Sequence, residues 1–256
     1  MLLPNTVKQA LKAGKIQYGC NLGQFRSQDV VKIVAAAGFN WSFVDMEHGG
    51  YDLETVQDIC RIAQTVNFAA IIRVPELTYA HVARALDVGS AGIMFPRVES
   101  PKVLAEAIGW TRFPPLGTRG FGLTPFHFEH RAMTLVQQME EVNANTIVAL
   151  QIETKRAFEA REELLSVGGI DAVMVGPSDL SISLGVPGEY EHPEMVKTIE
   201  AIIESCNRHG IAPGIHVRST KLARFWREKG MRFLSCSSET AMLFERAKEI
   251  ITTIEG

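Results

Sequence analysis

The segment Thr146-Ile147-Val148-Ala149-Leu150-Gln151-Ile152 is followed, after a stretch long enough for one helix, by Asp171-Ala172-Val173-Met174-Val175. Both are short runs of aliphatic residues, which are typical of strands that are buried on both faces of a parallel sheet. Parallel neighbours need a crossover between them, usually a helix. The two segments therefore predict one strand–helix–strand unit.

The same unit recurs along the whole chain. Six further strands are predicted at 17–21, 41–45, 70–74, 92–96, 212–216 and 231–235. Helical periodicity separates them, as in Leu53 to Thr65, where apolar residues recur every three or four positions. Eight strands that alternate with helices over 256 residues predict an α/β protein with one (β/α)8 TIM barrel, a single domain spanning residues 1–256. A doubly wound open sheet is the alternative, but no glycine-rich nucleotide turn follows the first strand.

Composition narrows the class of protein. The formal net charge is −3 and Lys and Arg do not cluster, which argues against a nucleic-acid-binding protein. The four cysteines, Cys20, Cys60, Cys206 and Cys236, form no CxxC pair and suit a reducing compartment. No apolar run reaches the roughly 18 residues of a membrane span, and the N-terminus lacks the apolar core of a signal peptide. These features predict a cytoplasmic protein without membrane contact.

Two carboxylates are expected at the C-terminal ends of neighbouring strands, where barrel enzymes carry their chemistry. Glu153 follows the fifth predicted strand and Asp179 the sixth. Neighbouring strands lie about 5 Å apart, so two carboxylates aimed at one point need a proton or a cation between them. Oxygen ligands suit Mg²⁺ or Mn²⁺. The alternative is that Glu153 caps a helix and Asp179 caps the next turn.

Charged residues also follow the second and third predicted strands. Arg73 offers a planar guanidinium that suits a carboxylate or phosphate, although a salt bridge with Glu47 is an alternative use for it. Asp45, Glu47 and His48 form a candidate acid–base group, because a carboxylate beside an imidazole supports proton transfer. A purely structural histidine is the alternative.

Other chemistries lack their residues. A Schiff-base aldolase needs a lysine inside the barrel, whereas Lys102, Lys155 and Lys221 fall at predicted helix starts. No glycine-rich turn follows the seventh or eighth strand, which disfavours a phosphorylated substrate. Gly176-Pro177-Ser178 presents backbone amides to an anionic group, with a plain turn as the alternative.

Seven motifs in register resemble the HpcH/HpaI family of metal-dependent class II pyruvate aldolases. The resemblance extends from about residue 15 to residue 250. The motifs are Val44-Asp45-Met46-Glu47-His48-Gly49, Ile72-Arg73-Val74-Pro75, Leu86-Asp87-Val88-Gly89, Arg112-Phe113-Pro114-Pro115-Leu116-Gly117-Thr118-Arg119-Gly120, Gln151-Ile152-Glu153-Thr154, Val175-Gly176-Pro177-Ser178-Asp179-Leu180-Ser181 and Ala212-Pro213-Gly214-Ile215.

This resemblance implies roles for the catalytic and metal-binding residues. Glu153 and Asp179 would ligate a divalent ion, Mg²⁺ or Mn²⁺, with Co²⁺ as an alternative. Arg73 would hold the 2-oxo acid and its enolate oxygen. His48, oriented by Asp45, would be the general acid and base.

The resemblance also implies a substrate pocket and an assembly. The pocket for the 2-oxo acid would be lined by Gln151 and by the backbone of Gly176, Pro177 and Ser178, with Glu47 at the same strand ends. Asp87 would lie near metal-bound water, contributed by a neighbouring subunit. The assembly would be a homohexamer, a trimer of dimers, with the C-terminal helix Thr240 to Ile254 exchanged between subunits.

The implied reaction is cleavage of a 4-hydroxy-2-oxo acid to pyruvate and an aldehyde, and its reversal through a metal-stabilised pyruvate enolate, in aromatic or sugar acid catabolism. Decarboxylation of oxaloacetate and a citrate-forming condensation are alternative uses of the same enolate, and a barrel that only binds its ligands is a third. Two features depart from the family: the aromatic segment Phe121 to His130, and His216 at the seventh strand. Both are expected to face the aldehyde.

Overall fold

Eight parallel strands close into a barrel in the order in which they occur in the sequence. The computed structural model describes residue 1 and residues 3–256. The strands are β1 (Gln17–Leu22), β2 (Trp41–Asp45), β3 (Ala69–Arg73), β4 (Gly92–Phe95), β5 (Ile147–Ile152), β6 (Ala172–Val175), β7 (Gly214–Val217) and β8 (Phe233–Ser238). The predicted (β/α)8 barrel is confirmed, and each strand lies within three residues of its predicted bounds.

Helices surround the strands and connect one to the next. They are α1 (Thr6–Lys12), α2 (Asp29–Ala36), α3 (Leu53–Thr65), α4 (Tyr79–Asp87), α5 (Pro101–Gly109), α6 (Leu135–Asn145), α7 (Lys155–Glu159), α8 (Arg161–Ser166), α9 (Pro177–Ser183), α10 (Pro193–Arg208), α11 (Thr220–Glu228) and α12 (Glu239–Glu255), with a 3₁₀ helix at Pro125–Phe128. Within the described part of the chain, no helix is long and apolar enough to cross a membrane.

Large side chains fill the barrel interior and are accommodated by a small residue opposite them. The rings of Trp41 and Phe233 stack with their centroids 3.7 Å apart. A Cβ atom on Gly19 of β1 would lie 2.3 Å from the Trp41 ring. Glycine is therefore required at this position, because any side chain would displace the stacked pair from the interior.

Helix α1 closes the N-terminal end of the barrel. Its Val7 and Leu11 are buried against the residues of the barrel interior. The Nζ atom of Lys8 donates a hydrogen bond of 2.6 Å to the carbonyl of Thr146 and lies 3.0 Å from a carboxylate oxygen of Asp171. Burial lowers the pKa of Lys8, while the Asp171 charge opposes that change. The barrel is thus accessible at the C-terminal ends of its strands.

Candidate active site

A cavity of about 790 Å³ lies at the C-terminal ends of the strands. It brings together most of the site residues predicted from the sequence. Its lining includes Asp45, His48, Arg73, Gln151, Gly176, Pro177, Ser178, Asp179 and His216. Glu47 and Glu153 lie beside this lining, in contact with Arg73 and Gln151 respectively.

An ion pair between neighbouring strands forms one wall of this cavity. Asp45 and Arg73 are paired in register at the ends of β2 and β3. Arg73 donates from Nε to Oδ1 of Asp45 at 3.0 Å and from Nη2 to Oδ2 at 2.6 Å, which is the bidentate arrangement that only arginine can make. Its Nη1 lies 3.2 Å from Oε2 of Glu47, so the predicted salt bridge with Glu47 is also present.

The environment of this pair keeps Asp45 ionised. Burial acts to raise the pKa of Asp45, but the hydrogen bonds and charge of Arg73 outweigh it and the pKa falls below its ordinary value. The Arg73 guanidinium also lies over the Phe43 ring, 5.4 Å from its centroid. These contacts hold the guanidinium in one orientation at the edge of the cavity.

The turn after β2 presents His48 to solvent and to a carboxylate. Oδ1 of Asp45 accepts hydrogen bonds from the backbone amides of Glu47 at 3.0 Å and His48 at 3.1 Å. The His48 side chain is 59% exposed, and its Nε2 lies 3.8 Å from Oε1 of Glu47. Asp45 thus orients the backbone of His48, whereas the carboxylate nearest its ring belongs to Glu47.

Glu153 is a buried carboxylate in an acidic environment. Burial raises the pKa of Glu153, and the charges of Glu47 and Asp179 raise it further. The side-chain amide of Gln151 donates a hydrogen bond to Oε2 of Glu153. Thr154, not Glu153, caps α7, because its hydroxyl accepts from the Ala157 amide at 3.0 Å. The alternative that Glu153 is a helix cap is therefore wrong.

Asp179 belongs to the first turn of α9 and its side chain is 44% exposed. Both Asp179 and Glu153 contact Arg97, which follows β4. The Arg97 amide donates to Oε1 of Glu153 at 3.0 Å, its Nε donates to Oε1 of Glu47 at 3.2 Å, and its Nη2 lies 3.6 Å from Oδ1 of Asp179. The sequence analysis missed Arg97, although a charged residue directly after a predicted strand is the signal used elsewhere.

The donor set fits a divalent cation. Oε1 of Gln151 is a buried oxygen without a hydrogen-bond partner among the described residues. A Cβ atom at Gly176 would lie 2.9 Å from Oε2 of Glu153, so glycine leaves this carboxylate accessible. No group of three or more His, Cys, Asp or Glu side chains in the described residues is arranged to hold a metal. The carboxylate oxygens of Glu153 and Asp179 are donors of the type that Mg²⁺ prefers, with water completing its shell.

His216 lines the cavity from β7. Its Nδ1 is 2.8 Å from the hydroxyl of Ser235 on the neighbouring strand, and its ring meets the edge of Phe43 with centroids 5.1 Å apart. Burial lowers the pKa of His216 to about 4, and the Arg73 charge acts in the same direction. The imidazole is therefore neutral at pH 7.

A second residue that the sequence analysis missed, Glu239, anchors the loop after β1. Glu239 is the first residue of α12, and its side chain is buried. Its Oε1 accepts backbone hydrogen bonds from Gly23 at 3.0 Å, Gln24 at 2.6 Å and Phe25 at 3.1 Å. Gly23, Gln24 and Glu239 all line the cavity, so this carboxylate fixes the shape of its rim.

Asp87 and the aromatic segment Phe121 to His130 are not among the residues that line the cavity. Asp87 ends α4, and its Oδ1 accepts a hydrogen bond of 2.7 Å from Arg119. His127 lies 2.8 Å from the Asp87 carbonyl, and Phe128 packs with Met1. The cavity lining among the described residues includes none of 121–130. The expectation that this segment faces the aldehyde is therefore not met within one chain, because the segment packs against α4 and the N-terminus.

Comparisons with known proteins agree with this geometry. The family model for HpcH/HpaI aldolase/citrate lyase matches residues 23–245. A 4-hydroxy-2-oxo-heptane-1,7-dioate aldolase of Escherichia coli is 32% identical over 248 residues, which cover 97% of this chain and 94% of the relative. The crystal structure of an HpcH/HpaI aldolase from Desulfitobacterium hafniense DCB-2 is 31% identical, has a TM-score of 0.92 and covers 97% of this chain and 96% of that one.

A more distant structure adds a ligand to the comparison. It is a citrate lyase beta subunit from M. tuberculosis complexed with oxaloacetate and magnesium, 16% identical with a TM-score of 0.56 over 89% of this chain and 93% of that one. At this identity it shows a common fold only. From the family match, the near-complete coverage and the shared barrel, the chain belongs to the HpcH/HpaI aldolase/citrate lyase family and is a carbon–carbon lyase.

Proposed function

We propose that this enzyme is a class II aldolase that cleaves a 4-hydroxy-2-oxo acid to pyruvate and an aldehyde and catalyses the reverse addition. The observation that carries the proposal is a cavity lined by Asp45, His48, Arg73 and Asp179, with Glu153 beside it in contact with Gln151. The name of the Escherichia coli relative supports a substrate of this chemical class.

The proposed metal ion is Mg²⁺ or Mn²⁺, held by Glu153 and Asp179. When bound, the ion supplies positive charge that stabilises the enolate of pyruvate. The raised pKa of buried Glu153 supports this assignment, since a carboxylate so placed gains from a cation. Gln151, whose Oε1 has no hydrogen-bond partner among the described residues, orients Glu153 through its amide.

Arg73 and His48 do the remaining chemistry. In cleavage, the 4-hydroxyl gives its proton to His48, the C3–C4 bond breaks, and its electron pair becomes the enolate of pyruvate while the aldehyde leaves. Arg73 stabilises the negative charge that develops on the enolate oxygen, because its orientation is already fixed by Asp45 and Glu47. A proton then returns to C3, and pyruvate forms. Addition runs through the same steps in reverse.

An assay of carbon–carbon bond formation tests the proposal. The purified enzyme is given pyruvate, Mn²⁺ and a panel of aldehydes, before and after EDTA, and oxaloacetate alone serves as a separate substrate. We expect aldol products that disappear with EDTA and return with Mn²⁺ or Mg²⁺. Turnover of oxaloacetate without addition to any aldehyde would contradict the aldolase and favour a decarboxylase.

We also propose a homohexamer, a trimer of dimers, that exchanges α12 between subunits. In α12 only Glu239 is buried, while several large apolar side chains are exposed. They are Leu243, Phe244, Ile250, Ile251 and Ile254. A helix with this many exposed apolar residues would bury them by packing against a second copy of the chain. Light scattering on the purified enzyme should give six times the chain mass.

Two further properties concern the cellular compartment and Asp87. The four cysteines are free, and three of them are buried, which supports a reducing compartment and hence the cytoplasm. The side chain of Asp87 is 32% exposed and pairs with the buried Arg119, and we propose that its exposed part reaches a neighbouring subunit's cavity. Asp87→Asn should lower aldol activity in the assembled enzyme if that position is used, and full activity of the variant would exclude it.

A further inference from the structure

Four carboxylates and two guanidinium groups meet beside the cavity. Asp45, Glu47, Glu153 and Asp179 supply the negative charge, and Arg73 and Arg97 supply the positive charge. Arg73 is committed to Asp45 by two hydrogen bonds. The guanidinium of Arg97 contacts Glu47 and Asp179, and the backbone amide of Arg97 donates a hydrogen bond to Glu153.

The backbone of Arg97 is shaped for this position. Its φ is 54°, in the left-handed region that non-glycine residues rarely adopt. This conformation lets the Arg97 amide reach Glu153 at 3.0 Å while the side chain reaches Glu47 at 3.2 Å and Asp179 at 3.6 Å. The hydrogen bond to Glu47 and the nearby acids raise the pKa of Arg97, so its charge is permanent.

The side chain of Arg97 is nonetheless displaceable. It is 58% exposed, and its longest contact is the one to Asp179, which is itself 44% exposed. Only its backbone amide is bound to Glu153, so the guanidinium can leave without disturbing that hydrogen bond. A divalent ion that binds Asp179 would take the charge-neutralising role that the guanidinium fills.

We propose that Arg97 is a built-in counter-cation that competes with the divalent metal for Asp179 and so sets the metal affinity of the site. This inference rests on the proposed metal site at Glu153 and Asp179. In the metal-free enzyme Arg97 reduces the repulsion among the three acids. In the metal-bound enzyme its charge opposes that of the metal.

Metal affinity, measured without substrate, tests the proposal. MnCl₂ is titrated into the purified enzyme, and free Mn²⁺ is measured by electron paramagnetic resonance. Removing one positive charge beside a divalent ion in water-like surroundings changes binding by about tenfold. We therefore expect the Kd for Mn²⁺ to fall about tenfold in Arg97→Gln and to stay near the parent value in Arg97→Lys.

Thermal unfolding provides a second readout that needs no activity. Without metal, Arg97→Gln should melt below the parent enzyme, because Glu47, Glu153 and Asp179 lose a counter-charge. With Mn²⁺ its gain in Tm should exceed the parent's. Arg156→Gln is the matched control, since Arg156 is exposed and pairs with Glu99 at 3.3 Å. It makes the same change of charge outside the acidic group and should alter neither quantity.

The outcomes separate the two proposals. If the parent binds Mn²⁺, Glu153→Gln weakens that binding, and Arg97→Gln leaves the Kd unchanged or raises it, the role of Arg97 is refuted while the metal site stands. If neither the parent nor Glu153→Gln binds Mn²⁺, the proposed metal site is refuted and the role of Arg97 with it.

Discussion

The substitution Arg73→Lys keeps the positive charge but removes the planar guanidinium. Arg73 makes two hydrogen bonds to Asp45 and a third contact to Glu47, and its guanidinium stacks over Phe43. A lysine ammonium is a point charge that cannot make the two parallel bonds at once. The positive group in Arg73→Lys would therefore not be held where the enolate oxygen develops.

The expected loss of rate can be estimated from the effect of removing one preorganised hydrogen-bond donor on an activation barrier. Removing such a donor raises the barrier by roughly 2–4 kcal/mol, which corresponds to a rate lower by about 30- to 1,000-fold. The loss should be of similar size for aldol cleavage and for exchange of the pyruvate methyl protons, because both pass through the enolate. Exchange needs no aldehyde and is followed by NMR in D₂O with Mg²⁺.

A matched substitution controls for the general effect of replacing arginine. Arg208 ends α10, outside the cavity, and forms an exposed ion pair with Glu162 of α8. Arg208→Lys should leave both rates unchanged. Circular dichroism should show that Arg73→Lys is folded before its rates are compared. If a folded Arg73→Lys enzyme exchanges pyruvate protons at the parent rate, Arg73 does not stabilise the enolate.

Three further predictions concern the metal site, the side of the cavity expected to face the aldehyde, and the cavity rim. Glu153→Gln should reduce both Mn²⁺ binding and activity by tenfold or more, measured by titration, because one of two protein carboxylates is lost. His216→Leu should change the order of preference among aldehydes in the addition assay but leave pyruvate exchange near the parent rate. The pKa of His216 is about 4 in the folded protein and near 6.5 in the unfolded chain, so the unfolded chain binds more protons between pH 4 and pH 6.5. The Tm should therefore fall as the pH drops from 6.5 to 4. His216→Leu should make that fall smaller. Glu239→Gln should lower Tm by several degrees and raise KM, because three backbone amides lose an ionised acceptor, whereas Glu245→Gln on the exposed face of α12 should change neither.

The barrel could be predicted because its periodicity is local. Each strand is a short apolar run, and Gly38, Gly89, Gly210 and Gly230, which follow α2, α4, α10 and α11, have positive φ, as a helix-ending glycine requires. Eight parallel strands joined by right-handed helical connections can adopt only a few topologies, and the closed barrel is the one observed. The ring of residues at the strand ends followed directly from that topology.

The contacts within the ring could not be predicted in the same way. The salt bridge of Arg73 with Glu47, which the sequence offered as an alternative, is present, but the bidentate partner of Arg73 is Asp45, which lies opposite it in strand register. Arg97 enters the site only because its backbone adopts a left-handed conformation, which no sequence pattern indicated. Glu239 reaches the loop after β1 across the closure of the barrel from the far end of the chain. Such contacts depend on how the closed barrel brings distant residues together and not on the spacing of residues in the sequence.

The most direct test of the metal-dependent enolate is proton exchange by metal-stripped enzyme. Pyruvate is incubated in D₂O with the stripped enzyme, then with Mg²⁺ added, and a parallel sample with pyruvate is treated with borohydride and examined by mass spectrometry. The proposed mechanism predicts no exchange before Mg²⁺, rapid exchange after it, and no mass added to any lysine. Exchange that persists without metal, together with a lysine carrying reduced pyruvate, would contradict it.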